Sequence, residues 1–271
     1  MTSLPDTPAQ LPGNGVSRRF AALRSIAALM LREMSTRYGR TPGGYIWAVL
    51  EPLGAILILG AGFSLIIRTP PLGSSFLLFY ATGFLPFNLY MQISNLVSKS
   101  INFSRPLLAY PAVSWMDAVL ARFLLNGLTN LLISYLLLSG LLMATDTRTV
   151  VDIVPIISSL ALTMLLGLAV GTLNCVLIGL FPTWDMIWSI AMRPLFLASG
   201  VFFTFETLPT AAQPYLWWNP LVHTIGQMRQ GFYPMYNAQY VTPSYVLLLS
   251  LVILLFGLML MRKHHRTIMN R

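Results

Sequence analysis

The chain has 271 residues, 56% hydrophobic and only 9% charged, with a mean hydropathy of +0.70 and a formal net charge of +9. Soluble domains carry about 25% charged residues, so too few polar groups exist to cover a water-facing surface, and a soluble domain is excluded. The basic residues flank apolar runs and do not cluster among exposed aromatics, which points to anionic lipid headgroups as partner and away from nucleic acid.

Residues 1–16 (MTSLPDTPAQLPGNGV) lack the apolar core of a cleavable signal peptide and read as a disordered cytoplasmic tail. Over 17–38, Phe20, Leu23, Ala27, Met30, Leu31, Met34 and Tyr38 recur at helical spacing. Arg18, Ser25, Arg32, Glu33 and Thr36 lie opposite, with Leu29 an exception among them. This predicts an amphipathic helix in the membrane interface, or one packed on a protein partner, with a Glu33–Arg37 pair at i,i+4. It is too charged to span.

Residues 76–98, 123–145, 153–184 and 230–261 contain no Asp, Glu, Lys or Arg. A helix needs roughly 20 apolar residues to cross the hydrocarbon core. The pattern predicts an all-α membrane protein with six spans at about 46–67, 76–97, 120–143, 153–181, 186–205 and 244–261. Residues 99–116 (KSINFSRPLLAYPAVSWM) are less apolar and read as a short helix or turn outside the bilayer. The segment 206–243 carries five prolines and is too broken for a span and too apolar for a free loop; short re-entrant or interfacial helices suit it. Six spans bring both ends to one side. Twelve Lys and Arg fall on that side, three (Arg68, Arg148, Arg229) on the other, and Arg122 and Arg193 lie in or beside spans. The positive-inside rule then makes both termini cytoplasmic. On this reading 17–265 form one transmembrane domain and 266–271 a cytoplasmic tail.

No catalytic engine is visible. The only lysines, Lys99 and Lys263, follow Ser98 and Arg262, so no GxxxxGK[ST] loop exists and any ATP hydrolysis belongs to another chain. HExxH, GxSxG and paired carboxylates are absent, and the single Cys175 forms neither an intramolecular disulfide nor a zinc site. His223, His264 and His265 read as structural or headgroup-facing residues. No metal or cofactor site is expected. Glu51, Asp117, Arg122 and Arg193 share one membrane level and are read either as a cytoplasmic-side charge cluster or as interface anchors. Ten aromatics lie between Phe202 and Tyr240. Among them Tyr215, Trp217, Trp218, Phe232, Tyr233 and Tyr236 suit an interfacial belt, or a surface that stacks on sugar rings and lets a polymer slide.

Three motifs, RYGRTPGGYIWAVLEP at 37–52, RPLLAYP at 105–111 and WNPLVH at 218–223, resemble those of ABC-2 type permeases that export capsular polysaccharide and O-antigen, most nearly the capsule branch. The resemblance covers about 20–265; the 1–16 extension has no counterpart in it. It implies a homodimer working with two copies of a separate ATPase, which binds the ATP and magnesium, in a bacterial inner membrane. It further implies a lipid-linked or lipid-terminated polysaccharide as cargo, moving along the dimer interface. A coupling segment near 102–114, carrying Asn102, Arg105, Pro106, Leu107, Tyr110 and Pro111, would dock on the ATPase. The aromatic residues above would line the path or outer gate near 207–236. Periplasmic and outer-membrane export proteins are further partners compatible with the resemblance. An ABC-2 permease for a lipid or drug, an ion-coupled secondary transporter and a membrane-bound glycan transferase remain alternatives.

Overall fold

Inside lipid every backbone N–H and C=O must be satisfied within the protein, so apolar runs of this length fold as helices. The computed structural model describes residues 21–38, 43–66, 69–108, 113–145 and 150–269, and among these it is all-helical. The order is α1 (Ala21–Tyr38), α2 (Tyr45–Ile66), α3 (Phe76–Ser98), α4 (Ser100–Leu108), α5 (Trp115–Ala144), α6 (Ile153–Leu180), α7 (Thr183–Ala198), a 3₁₀ turn (Phe205–Thr207), α8 (Gln213–Leu216), α9 (Pro220–Phe232) and α10 (Pro243–Met269). Among the described residues, five stretches are long and apolar enough to cross a membrane: Tyr45–Leu65, Phe76–Leu108, Trp115–Ala144, Ile153–Leu180 and Pro243–Met269.

The remaining expected span, 186–205, differs. Its helix, α7, has 16 residues, about 24 Å at 1.5 Å per residue, short of a core of roughly 30 Å. The helix ends because Ser199 turns its hydroxyl back to the Leu195 carbonyl and Gly200 takes φ +80°, a left-handed stop that glycine adopts without a Cβ penalty. The chain then continues as non-helical backbone to Thr204.

α3 is the hub. It buries residues on all sides, from Leu78 to Ser98, and packs on α2, α5, α6 and α9. The close approaches are made at glycines. A Cβ at Gly167 would lie 3.0 Å from Ile93 on α3, one at Gly171 2.8 Å from Val97 and 3.0 Å from the Ser94 carbonyl, and one at Gly257 of α10 3.1 Å from the backbone of α6. Between apolar helices in lipid no hydrophobic force drives association, so such small-residue contacts let van der Waals packing do it. α10 buries one seam, Val246, Ser250, Gly257, Met261 and Ile268, against α6. Its other face leaves Leu248, Val252, Leu255 and Met259 exposed, as lipid contact requires.

The bundle has two distinct ends. At one, α1, α4, the start of α5 and the last turns of α6 and α10 meet: Arg105 donates to the Met269 carbonyl (2.8 and 3.0 Å), Trp115 lies by His265, and Gly179 abuts Ile268. At the other, the Asp152 N–H donates to the Gly231 carbonyl (2.8 Å), and Asn219 at the head of α9 reaches the end of α7. α1 and the end of α10 therefore lie at the same end.

The glycine seam makes a direct prediction. Gly171→Ala should destabilise the detergent-solubilised protein by about 1–3 kcal/mol, the usual range for overpacking. Gly140→Ala on α5, where a Cβ meets nothing within 4 Å, should be neutral or stabilising because alanine is the better helix former. Thermal unfolding of the two variants checks the contrast.

Candidate functional site

At the end where α1 and α4 meet, the structure builds a buried charged knot. α1 buries Ile26, Leu29 and Glu33, one stripe at helical spacing, against α5. Leu29, an exception on the expected polar face, marks the inward side, while Leu23, Leu31 and Met34 of the expected apolar stripe point outward. Glu33 was expected on the polar face beside Arg37, whose side chain lies outside the described residues. Instead its Oε2 stands 3.3 Å from Arg122 Nε, with the two side chains 4% and 7% exposed. The contact is an ion pair rather than an aligned hydrogen bond. Arg122 also donates to the Leu96 carbonyl at the end of α3 (2.8 Å), and Asn126 donates to Glu33 Oε1 (3.4 Å). The Arg122 guanidinium lies 4.1 Å over the ring of Phe103 on α4, with Arg32 at 5.1 Å from the same ring. One ion pair, one backbone carbonyl and one ring thus join α1, α3, α4 and α5.

The four residues expected as a charge cluster do not gather. Arg122 pairs with Glu33. Asp117 closes a capping box at the start of α5, accepting from the Ser114 N–H (2.9 Å) while Ser114 Oγ accepts from the Asp117 N–H (3.1 Å). Glu51 opens onto a cleft between α2, α3 and α5, and Arg193 is exposed on α7. Spacing placed them at one depth, but helix rotation decides which face each side chain takes. A further surface pair, Lys99–Asp185 (3.3 Å), ties the end of α3 to the start of α7.

Within the expected coupling segment, α4 buries Ile101, Ser104 and Leu108 and turns Asn102, Arg105 and Pro106 outward, with Leu107 half-buried. Tyr110 and Pro111 lie outside the described residues. The opposite end is built around α9, which is buried along nearly its whole length. Its motif is structural. Asn219 Oδ1 caps the helix by accepting from the Leu221 N–H (3.1 Å), and its Nδ2 donates to the Ala198 carbonyl (3.1 Å); Pro220 fills the first helical position, where no N–H is needed. His223 Nδ1 accepts from the Thr242 N–H (3.1 Å), so the proton sits on Nε2, which donates to the Trp217 carbonyl (2.8 Å). The neutral imidazole clamps the segment on either side of α9.

Arg229, fully buried on α9, was counted in the sequence only as an outer charge. It donates to the Phe203 carbonyl (2.7 Å) and the Val201 carbonyl (2.9 Å) and lies 4.1 Å over Phe79. Gly83 makes room, since a Cβ there would stand 2.9 Å from Nη2. No carboxylate among the described residues stands within 4.0 Å; Glu206 instead accepts from Tyr236 (2.9 Å). Arg229 therefore holds the non-helical backbone after α7 in place. The six aromatics divide: Tyr215 and Trp218 are exposed, Trp217 and Tyr236 half-buried, and Phe232 and Tyr233 packed in the core. Trp217, Trp218, Tyr245 and His223 form one ring cluster with centroids 5.1–6.2 Å apart.

One end thus docks α1 beside the short, outward-facing α4, and the other is built of short buried helices. The family model described as ABC-2 type transporter matches residues 24–233. The chain belongs to that family. It is 31% identical over 246 residues to the polysialic acid transport protein KpsM of Escherichia coli, covering 91% of this chain and 95% of that one. It is 28% identical over 235 residues to the capsule polysaccharide export inner-membrane protein CtrC of Neisseria meningitidis serogroup A (87% and 89%), and 25% identical over 245 residues to BexB of Haemophilus influenzae, of the same description (90% and 92%).

The knot predicts non-additive mutations. Glu33→Leu alone removes the acid beside a buried guanidinium and should cost about 3–5 kcal/mol. The pair Glu33→Leu with Arg122→Met should recover most of that loss, since an apolar replacement of a buried pair is often near neutral. Unfolding of the two single variants and the double variant reads the coupling directly; strict additivity would mean that the two side chains do not interact.

Proposed function

We propose that the chain is the membrane permease subunit of an ATP-binding-cassette exporter that moves a lipid-linked or lipid-terminated, capsule-type polysaccharide across the bacterial inner membrane. The observation that carries this reading is the near full-length similarity to three capsule-type export proteins, joined to a bundle of five membrane-crossing helices. The absence of a P-loop from residues 1–271 supports a separate ATPase as the source of ATP hydrolysis; two copies of it beside a homodimer of this chain complete the proposed assembly.

The finer architecture is proposed as six crossings, with α7 and the backbone after it completing the fifth, α1 lying in the cytoplasmic interface, and α8 and α9 re-entrant from the outside. Support comes from where α1 and the end of α10 lie, at one end with Arg24, Arg32, Lys99, Arg105, Arg262, Lys263 and Arg266, whereas Arg229 is at the other. Outward-facing Leu23, Leu31 and Met34 on α1 suit immersion in headgroups. α4 would dock on the ATPase through Asn102, Arg105 and Pro106. Closure of the ATPase pair then moves α4, and the knot carries α1 and α5 with it. For this to advance cargo, ATP must favour one channel state over another. Exposed Tyr215 and Trp218 would meet the emerging glycan, while Phe232 and Tyr233 are packed in the core.

Deletion of the gene in its host, with the surface and internal polysaccharide both measured, tests the reading. Finished polymer should disappear from the surface and accumulate inside, and the chain supplied in trans should reverse this. Loss of polymer everywhere would assign the protein to synthesis, and an unchanged surface would assign it another cargo.

A further inference from the structure

A cleft of about 230 Å³ opens between α2, α3 and α5, lined by Gly44, Trp47, Ala48, Glu51, Pro52, Asn88, Gln92, Thr129, Asn130 and Ile133. It lies among three helices long and apolar enough to cross a membrane, where each unsatisfied polar group is costly and polar residues mark function. Its polar groups are left open. Asn88 is 8% exposed, yet its amide has no hydrogen-bond partner among the described residues; Gln92 is half-buried and equally unpartnered. Asn130, 9% exposed, donates its Nδ2 to the Asn126 carbonyl (2.9 Å) and leaves Oδ1 without a partner there. Three amides, one carboxylate and an exposed indole thus converge on a space smaller than the roughly 300 Å³ at which drug-sized pockets begin.

We propose that this cleft binds the neutral, hydroxylated part of a lipid headgroup, a sugar ring or a glycerol, presented laterally by the lipid. The chemistry selects this class. An amide both donates and accepts, as a hydroxyl does, so a polyol satisfies Asn88, Gln92 and Asn130 together. An ammonium headgroup only donates and would leave the amide N–H groups of Asn88 and Gln92 unsatisfied. A phosphate only accepts, and Glu51 repels it, so the phosphodiester of a phosphoglycerol headgroup stays outside the cleft with only its glycerol inside; no basic residue is among the described residues that line the cleft. Trp47 offers an apolar ring face beside the polar groups, the combination that suits an amphipathic ligand. The cleft is also connected to the knot. Asn130, Asn126 and Arg122 are spaced i, i+4 along one face of α5, and each amide donates to the carbonyl four residues before it. The occupant has two sources: the reducing-end sugar or glycerol of the exported glycolipid, which rests on the function proposed above, or a resident glycerol-headgroup lipid of the membrane.

The test uses the full chain assembled with its ATPase in lipid nanodiscs and four photoactivatable diacylglycerol probes. They bear a glucosyl headgroup, a phosphoglycerol headgroup, a phosphoethanolamine headgroup, or none. Saturable labelling of peptides from α2, α3 and α5 by the glucosyl probe is expected if the glycolipid is the occupant, and by the phosphoglycerol probe alone if it is the resident lipid. Asn88→Leu should weaken that labelling about tenfold, the effect of one lost hydrogen bond. Gln92→Leu, at a half-buried position, gives the second reading should Asn88→Leu lower the unfolding temperature. Equal labelling by the probe without a headgroup, labelling by the phosphoethanolamine probe alone, or labelling unchanged in both folded variants would overturn the proposal. Because binding is read and not export, any of these results leaves the export function standing.

Discussion

A guanidinium cannot sit unpaired among apolar helices, and Arg122 sits there. Removing an ion from water costs several kcal/mol that only close, well-placed partners offset. Arg122 finds them in Glu33, the Leu96 carbonyl and the face of Phe103, which belong to three different helices. The position of α1 follows from this. Ile26 and Leu29 alone make a small apolar contact on α5; the charge on Arg122 requires that Glu33 come with them. The same demand turns Phe103 of α4 inward and so turns Asn102, Arg105 and Pro106 outward. The outward face of α4 is a consequence of where one buried charge finds its partners.

The opposite end solves the same problem without an acid. Arg229 is held through its two Nη groups by two carbonyls and lies over a ring face, and those carbonyls belong to backbone that no helix would otherwise pair. Non-helical backbone at membrane depth is tolerated only where protein buries it. The cation and the irregular segment each supply what the other lacks. The bundle therefore has a charge-stapled unit at each end, and between them α3 and α6 pack at glycine contacts too close to slide freely.

Much of this was legible in the residues. Charge-free runs of twenty or more residues carry the long apolar helices, and the 37–52, 105–111 and 218–223 motifs carry the family. Length alone misjudged α7, because Gly200 ends a helix inside an apolar run, and an apolar run does not show where a left-handed glycine stops it. Which charges meet was not legible either. Arg122 and Glu33 are 89 residues apart, and only the rotation of α1 shows that Leu29, apolar on an otherwise polar stripe, marks the buried side. The cleft amides had a visible signal, Asn88, Gln92 and Asn130 within charge-free runs, but a polar residue in a span becomes a site only when a neighbouring helix turns another toward it.

The central claim is that α1, α4 and the start of α5 move as one body. Spin labels at exposed Ser35 on α1 and exposed Asn102 on α4, read by pulsed electron resonance in the assembled exporter with and without ATP, test it most directly. The account predicts an unchanged Ser35–Asn102 distance distribution while the distance from Asn102 to a label at Tyr215 on the opposite end shifts. A Ser35–Asn102 distribution that moves with nucleotide would contradict it.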